Sequence, residues 1–165
     1  MANSNRLGTK QFLYLDDLHV GQRFISDTHL INEDAIKAFA KQFDPQPFHL
    51  DADTAKETLF EGLVASGWHT AAISMRLLVD GVPIAGGIVG AGAEIEWPKP
   101  TRPSDVLHVE SEIVELRPSG SSPDRGVATI RSETHNQFGE IVQVLTAKLV
   151  VPRRTSTTAL TEEDV

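Results

Sequence analysis

A change in hydrophobic period near Gly86 restricts this chain to few folds. After that point, alternating apolar and polar residues predict four strands, at residues 87–97, 105–116, 125–136 and 140–151. Before it, residues 68–79 form a helical pattern whose one face carries Trp68, Ala71, Ala72, Met75, Leu78 and Val79 and whose other face, with Ile73 and Leu77, is nearly as apolar. Such a helix needs to be wrapped by other elements. The pattern therefore predicts an α+β fold, with antiparallel strands around one buried helix.

Shorter elements precede this helix. Alternation over residues 23–31 predicts a first strand. Asn32 is positioned to cap a helix that must end at Asp44, because Pro45 follows. Asp51 has the position of an N-cap for a further short helix.

Length and composition limit the class of protein. A chain of 165 residues can bury its own core, and we assign residues 1–152 to one domain and residues 153–165 to a loose tail. The absence of cysteine excludes disulfides and thiolate chemistry and agrees with a reducing cytoplasm. A net charge of −8 argues against nucleic acid as a partner, and no apolar run is long enough to span a membrane. We therefore expect a cytoplasmic protein that binds neither nucleic acid nor a membrane.

The strongest candidate for chemistry is residues 43–51, Phe-Asp-Pro-Gln-Pro-Phe-His-Leu-Asp. Each proline keeps the residue before it out of the helical region, so we expect a stiff, helix-free loop that holds Asp44 and His49. A carboxylate and an imidazole on such a loop suit general acid–base catalysis. Asp44 would also face the negative end of the preceding helix dipole, which predicts a raised pKa.

Structural explanations compete with these functional ones. His49 could be a buried, hydrogen-bonded histidine, and Asp44 only the last residue of a helix. The alternation of His49, Asp51 and Asp53 is compatible with a metal site, but Asp51 is needed as a cap, so we expect no metal. The glycines of residues 86–92 are followed by a strand and not by a helix, which argues against a phosphate-binding loop. We expect them to lie close against the buried helix.

The residues 43–51, followed by Leu-Val-Ala-Ser-Gly-Trp-His-Thr at 63–70, resemble the MaoC-like dehydratases and in particular the (R)-specific enoyl-CoA hydratases. The resemblance implies a hot-dog fold and a homodimer, with the acyl thioester in a tunnel at the dimer interface. It implies that Asp44 and His49 hold a water between them. It also implies that the backbone N–H of Gly67 binds the thioester oxygen, as expected of a helix start.

Three positions depart from the family pattern. Gln46 stands where asparagine is common, Ser66 where histidine is common, and Ser74 only adjoins the position of a serine found in the hydratases. Gln46 and Ser66, together with Trp68 and Met75, are our candidates for substrate binding. Trp68 and Met75 would shorten the tunnel. Basic side chains that could meet the phosphates of coenzyme A, or simply be solvated, are Lys99, Arg102, Arg153 and Arg154.

The resemblance implies an acyl-CoA hydratase/dehydratase of fatty acid metabolism that needs no cofactor other than the coenzyme A of its substrate. Two alternatives remain. A hot-dog thioesterase is less favoured, because such enzymes usually place a carboxylate near the long helix, where this chain has Ala71, Ala72 and Ile73. A non-catalytic subunit that binds acyl thioesters is the other.

Overall fold

The computed structural model describes residues 11–154. Its helices are α1 (Glu33–Phe43), α2 (Pro47–Leu50), α3 (Ala52–Lys56) and α4 (Gly67–Gly81). Its strands are β1 (Arg23–Ile25), β2 (His29–Leu30), β3 (Val89–Glu96), β4 (Val106–Pro118), β5 (Arg125–His135) and β6 (Ile141–Pro152). The α+β class, the long helix and the four late strands are confirmed, and the arrangement is a hot-dog fold.

The strands form one antiparallel sheet in the order β1-β4-β5-β6-β3, and β2 also pairs with β4. The single strand predicted at residues 23–31 is wrong, because the chain leaves the sheet between β1 and β2. There the hydroxyl of Ser26 accepts a hydrogen bond from the N–H of Val109 at 2.8 Å and donates to the carbonyl of Asp27. A side chain thus replaces a backbone acceptor, and the regular ladder is interrupted.

The core lies between the sheet and one side of α4. Ile73, Leu77 and Leu78 of the helix are buried against apolar strand residues that include Val109 and Ile130. The α4 helix begins after Ser66, which caps it by accepting a hydrogen bond from the N–H of Trp68. This packing holds the first turn of α4 in a fixed position relative to the sheet.

The apolar pattern predicted that other elements wrap α4, but the sheet of one chain leaves part of this helix exposed. Trp68 is 60% exposed, and Met75 and Val79 are each 45% exposed. Thr70 and Ser74 are buried instead, because their hydroxyls find partners inside: that of Thr70 bonds to Thr101, and that of Ser74 bonds to the Thr70 carbonyl and the Thr134 hydroxyl. Satisfied hydroxyls can be buried at little cost, so Thr70 and Ser74 lie on the inward face of this helix beside its buried apolar residues.

The expected contact between the glycines of residues 86–92 and α4 is also wrong. A Cβ added at Gly86, Gly87, Gly90 or Gly92 would meet no atom within 4 Å. The reason is that β3 lies at the edge of the sheet and pairs only with β6, whereas α4 packs chiefly over β4. The strand is therefore exposed along most of its length.

The predicted tail begins with two residues that are held in place. The Arg153 guanidinium donates to Asp16, and Arg154 pairs with Asp17 at 2.8 Å and lies over the ring of Tyr14. The remainder of the predicted tail, residues 155–165, lies outside the described residues.

No helix in the described part of the chain is both long and apolar enough to cross a membrane.

Candidate active site

Asp44 ends α1, and its backbone N–H still bonds to the carbonyl of Ala40. Asp44 and Gln46 both have non-helical backbone angles, as the prolines after them predict. The expectation that the whole loop is free of helix is wrong, however. Pro47 starts the one-turn helix α2, because its fixed φ suits the first helical position, and His49 belongs to this turn.

Asp44 and His49 face each other directly. The Nε2 atom of His49 lies 3.4 Å from Oδ2 of Asp44, and the His49 residue is only 5% exposed. On the other side of the ring, Nδ1 lies 2.7 Å from the carbonyl oxygen of Val64. A carbonyl can only accept, so Nδ1 carries a proton. When the ring is neutral, it therefore presents an unprotonated Nε2 to the carboxylate. Two acceptors that face each other create a place for a group that donates to both, such as a water molecule.

The Asp44 carboxylate receives two further hydrogen bonds. The Gln46 amide donates to Oδ1 at 2.8 Å, and the Ser66 hydroxyl donates to Oδ2 at 2.7 Å. Burial raises the pKa of Asp44, but these two donors and the nearby His49 outweigh burial and lower the pKa below the ordinary value of 3.8. The raised pKa expected from the helix dipole is therefore wrong, since direct hydrogen bonds to the charged form dominate. Asp44 is ionised at neutral pH.

Gly67 is the first residue of α4, so its N–H has no acceptor within the helix. The indole of Trp97 lies so close that a Cβ on Gly67 would be 2.8 Å from Cε2 of the ring. Trp97 is held by a hydrogen bond from its Nε1 to the buried side-chain oxygen of Gln143 and by an edge contact with Trp68. Only glycine leaves room for the indole at this position.

These groups meet in a cavity of about 410 Å³. Asp44, His49 and Gly67, the three residues predicted to be catalytic, all line it. Of the four residues predicted to bind substrate, Gln46 and Trp68 line it. Ser66 is fully buried behind Asp44, and Met75 lies on the exposed face of α4 outside the lining. The remaining wall is mainly aromatic and proline-rich, with Phe48, Phe60, Trp97, Pro98 and Pro100.

Sequence reasoning missed several residues of the site. Val64 acts through its carbonyl, so its side chain gave no signal. Trp97 and Gln143 are far apart in the chain and meet only because β3 pairs with β6. A tryptophan at the end of a strand and directly before Pro98 was the one available indication of a fixed aromatic wall.

The basic candidates are placed differently from one another. Lys99 lines the cavity and pairs with Glu140. Arg102 donates to the carbonyl of Phe60 at 2.7 Å. Arg153 and Arg154 are held by Asp16 and Asp17.

The sequence left a metal site as a minor alternative. Among residues 11–154, no group of three or more histidine or acidic side chains is placed to hold a metal ion. Asp51 is confirmed as the N-cap of α3, where it accepts a hydrogen bond from the N–H of Thr54. Asp53 pairs with Lys56.

The fold and this site define a hot-dog protein with a facing carboxylate and imidazole beside a helix start. The family model of the MaoC like domain matches residues 18–136, and the chain belongs to this family.

Two solved structures are similar over most of the chain. A MaoC-like dehydratase from Rhodospirillum rubrum is 60% identical, with a TM-score of 0.85, over 86% of this chain and 98% of that one. The R-hydratase PhaJ1 from Pseudomonas aeruginosa is 28% identical, with a TM-score of 0.69, over 86% of each chain.

Two curated relatives are similar in sequence. The uncharacterized protein YdeM from Bacillus subtilis is 33% identical over 74% of this chain and 87% of its own length. A 3-hydroxybutyryl-CoA dehydratase from Methylorubrum extorquens is 29% identical over 64% of this chain and 67% of its own length.

Proposed function

We propose that this protein is a hydratase/dehydratase that adds water reversibly across the double bond of a trans-2-enoyl-CoA. The observation that carries the proposal is the 3.4 Å approach of His49 Nε2 to Asp44 Oδ2 at the wall of the cavity. Both atoms are acceptors in the resting state, so a water that donates to each is oriented by the pair. Its oxygen lone pairs are then free for attack on carbon.

In the hydration direction, the water oxygen bonds to the β-carbon while one water proton passes to Nε2 of His49. The α-carbon then takes a proton from the imidazolium, so that H and OH of one water are added in total. Asp44 stays ionised, because its hydrogen bonds lower its pKa. It orients the water and stabilises the positive charge on His49.

Negative charge develops on the thioester oxygen during attack. The N–H of Gly67, at the positive end of α4, is the donor we assign to this oxygen. Loss of one such donor typically costs about 10²–10³ in rate. The Trp97 indole lies beside Gly67 on this side of the cavity.

The similarity to an R-hydratase and to a 3-hydroxybutyryl-CoA dehydratase supports this reaction and a coenzyme A thioester as substrate. We infer that a homodimer forms, since the exposed Trp68, Met75 and Val79 on α4 would be covered by a second copy. The proposal includes a role in fatty acid metabolism in the cytoplasm and requires no metal or bound cofactor.

The test is loss of enoyl-thioester absorbance with a panel of short, branched and long trans-2-enoyl-CoAs. Asp44→Asn and His49→Gln should each lower kcat by about 10²-fold or more, since a positioned acid–base group contributes about 10²–10⁴. Matched controls are Asp53→Asn and His108→Gln, which change the same residue types outside the cavity lining. Both controls should keep the wild-type rate.

A thiol reagent run in parallel separates the alternatives. Hydration that is lost in both site variants, with no thiol released, supports the proposal. Release of free coenzyme A without hydration would replace it with a thioesterase. A binding subunit would be favoured if an acyl-CoA raises Tm, neither reaction occurs, and the rise in Tm is the same in the site variants.

A further inference from the structure

Ser66 occupies an unusual position between the carboxylate of the pair and the first turn of α4. It is fully buried, and its hydroxyl makes two hydrogen bonds. It donates to Asp44 Oδ2 at 2.7 Å and accepts from the N–H of Trp68 at 3.2 Å. Because the hydroxyl has only one proton, the bond to the Trp68 N–H leaves that proton free to point at Asp44.

We propose that Ser66 is a positioning residue, which orients the Asp44 carboxylate relative to His49 and couples that orientation to the start of α4. This inference rests on the proposed function and reassigns Ser66 from substrate contact to support of Asp44. Its oxygen does not line the cavity, so it cannot act by touching the substrate.

The geometry of Asp44 explains why the support is needed. Oδ2 is the atom that faces His49, and a carboxylate without a second donor could rotate about its side-chain bonds. The Ser66 hydroxyl holds Oδ2, and the Gln46 amide holds Oδ1, so each oxygen is fixed by a separate donor. Both donors lie at positions that depart from the family pattern. This chain therefore supports the carboxylate with the Ser66 hydroxyl and with the amide of Gln46, whose side chain is longer than that of asparagine.

Ser66 also links the two halves of the site. The residue that follows it, Gly67, supplies the N–H assigned to the thioester oxygen. A shift of the helix start would therefore move Ser66 and Asp44 together with that N–H. This coupling keeps the distance between the carboxylate and the oxyanion donor constant.

The experiment measures the titration of Asp44 directly, by ¹³C NMR of its labelled carboxyl group, with Asp44→Asn to assign the signal. Ser66→Ala and Ser66→Gly both remove the donor, but glycine is nearly as good an N-cap as serine, so Tm should fall less in Ser66→Gly. The Asp44 titration should move to higher pH by the same amount in both. The rate should fall by about 10²-fold in both, as expected when a reacting group is misplaced.

Ser66→Thr keeps the hydroxyl and should restore the titration and most of the rate. Ser74→Ala removes another buried serine hydroxyl, within α4, which bonds to Thr134 and not to Asp44, and should leave the titration unchanged. An unmoved titration in Ser66→Ala and Ser66→Gly would overturn the inference, even if the rate fell with Tm. The NMR result does not depend on hydratase activity, so failure of the proposed function would be recognised separately as a wild-type protein without hydration.

Discussion

Replacement of Gly67 by alanine tests the packing at the start of α4. The added Cβ would lie 2.8, 2.9 and 3.0 Å from three atoms of the Trp97 indole, which is closer than carbon atoms approach in proteins. Turning the indole away would break its hydrogen bond to Gln143 and its edge contact with Trp68. Overpacking of this kind costs about 1–3 kcal/mol. We therefore expect Gly67→Ala to lower Tm by roughly 2–12 °C, at about 2–4 °C per kcal/mol for a domain of this size.

The same substitution should have the opposite effect once the indole is removed. In a Trp97→Leu background the new methyl group has room, and alanine is a better helix former than glycine by up to about 1 kcal/mol. Gly67→Ala should then be neutral or slightly stabilising. The coupling between the two positions, measured by a double-mutant cycle, should be about 1–3 kcal/mol.

The assay is thermal or urea unfolding of the four proteins, compared at the same protein concentration because dimerisation makes Tm depend on concentration. Activity is not the readout, because both residues line the cavity. Equal losses of stability from Gly67→Ala in both backgrounds would show that the indole does not limit this position. The contact between Trp97 and Gly67 would then not explain why the chain has glycine there.

Further predictions concern the pH dependence of stability and the close packing around Gly126. Because folding lowers the pKa of Asp44, its ionised form stabilises the fold above its ordinary pKa, and this contribution is lost as the pH falls through the lower folded pKa. The Tm difference between wild type and Asp44→Asn should therefore shrink between about pH 5 and pH 3, and a constant difference would contradict this. Gly126→Ala should lower the free energy of unfolding by about 3 kcal/mol or more, since its Cβ would lie 2.4 Å from Leu15 and 2.6 Å from the Arg117 carbonyl oxygen. Gly90→Ala should not lower the free energy of unfolding, because the space at its Cβ is open. Similar unfolding curves for the Gly126 and Gly90 variants would refute the packing argument.

The elements of the chain follow from local rules, and most could be predicted. Asn32 and Asp51 are caps in the structure because a short polar side chain before a helix satisfies a free N–H. Pro45 ends α1 where expected, because it disfavours a helical conformation at Asp44. The late strands follow from alternation alone. The break after β1 was missed, because it depends on a hydrogen bond from the distant Val109 to Ser26.

The candidate site was only partly predictable for the same reason. The spacing of Asp44 and His49 indicated that they lie near each other, and they do, at 3.4 Å. The direction of the Asp44 pKa shift was wrong, because the donor on Ser66 comes from a residue 22 positions away. The exposure of Trp68, Met75 and Val79 was not predicted, since helical periodicity cannot tell which apolar side one chain covers. Contacts of long sequence separation set each of these features.

Four consecutive residues, from Val64 to Gly67, set the geometry of the site largely through main-chain atoms. The Val64 carbonyl fixes the His49 tautomer, and the Ala65 N–H anchors the segment to the carbonyl of Thr101. Ser66 holds Asp44, and Gly67 begins α4. Alanine scanning would overlook Val64, because that substitution leaves the carbonyl in place. Insertion or deletion of a single residue here would separate the imidazole from the helix start, so the length of this segment is constrained as well as the identities of Ser66 and Gly67.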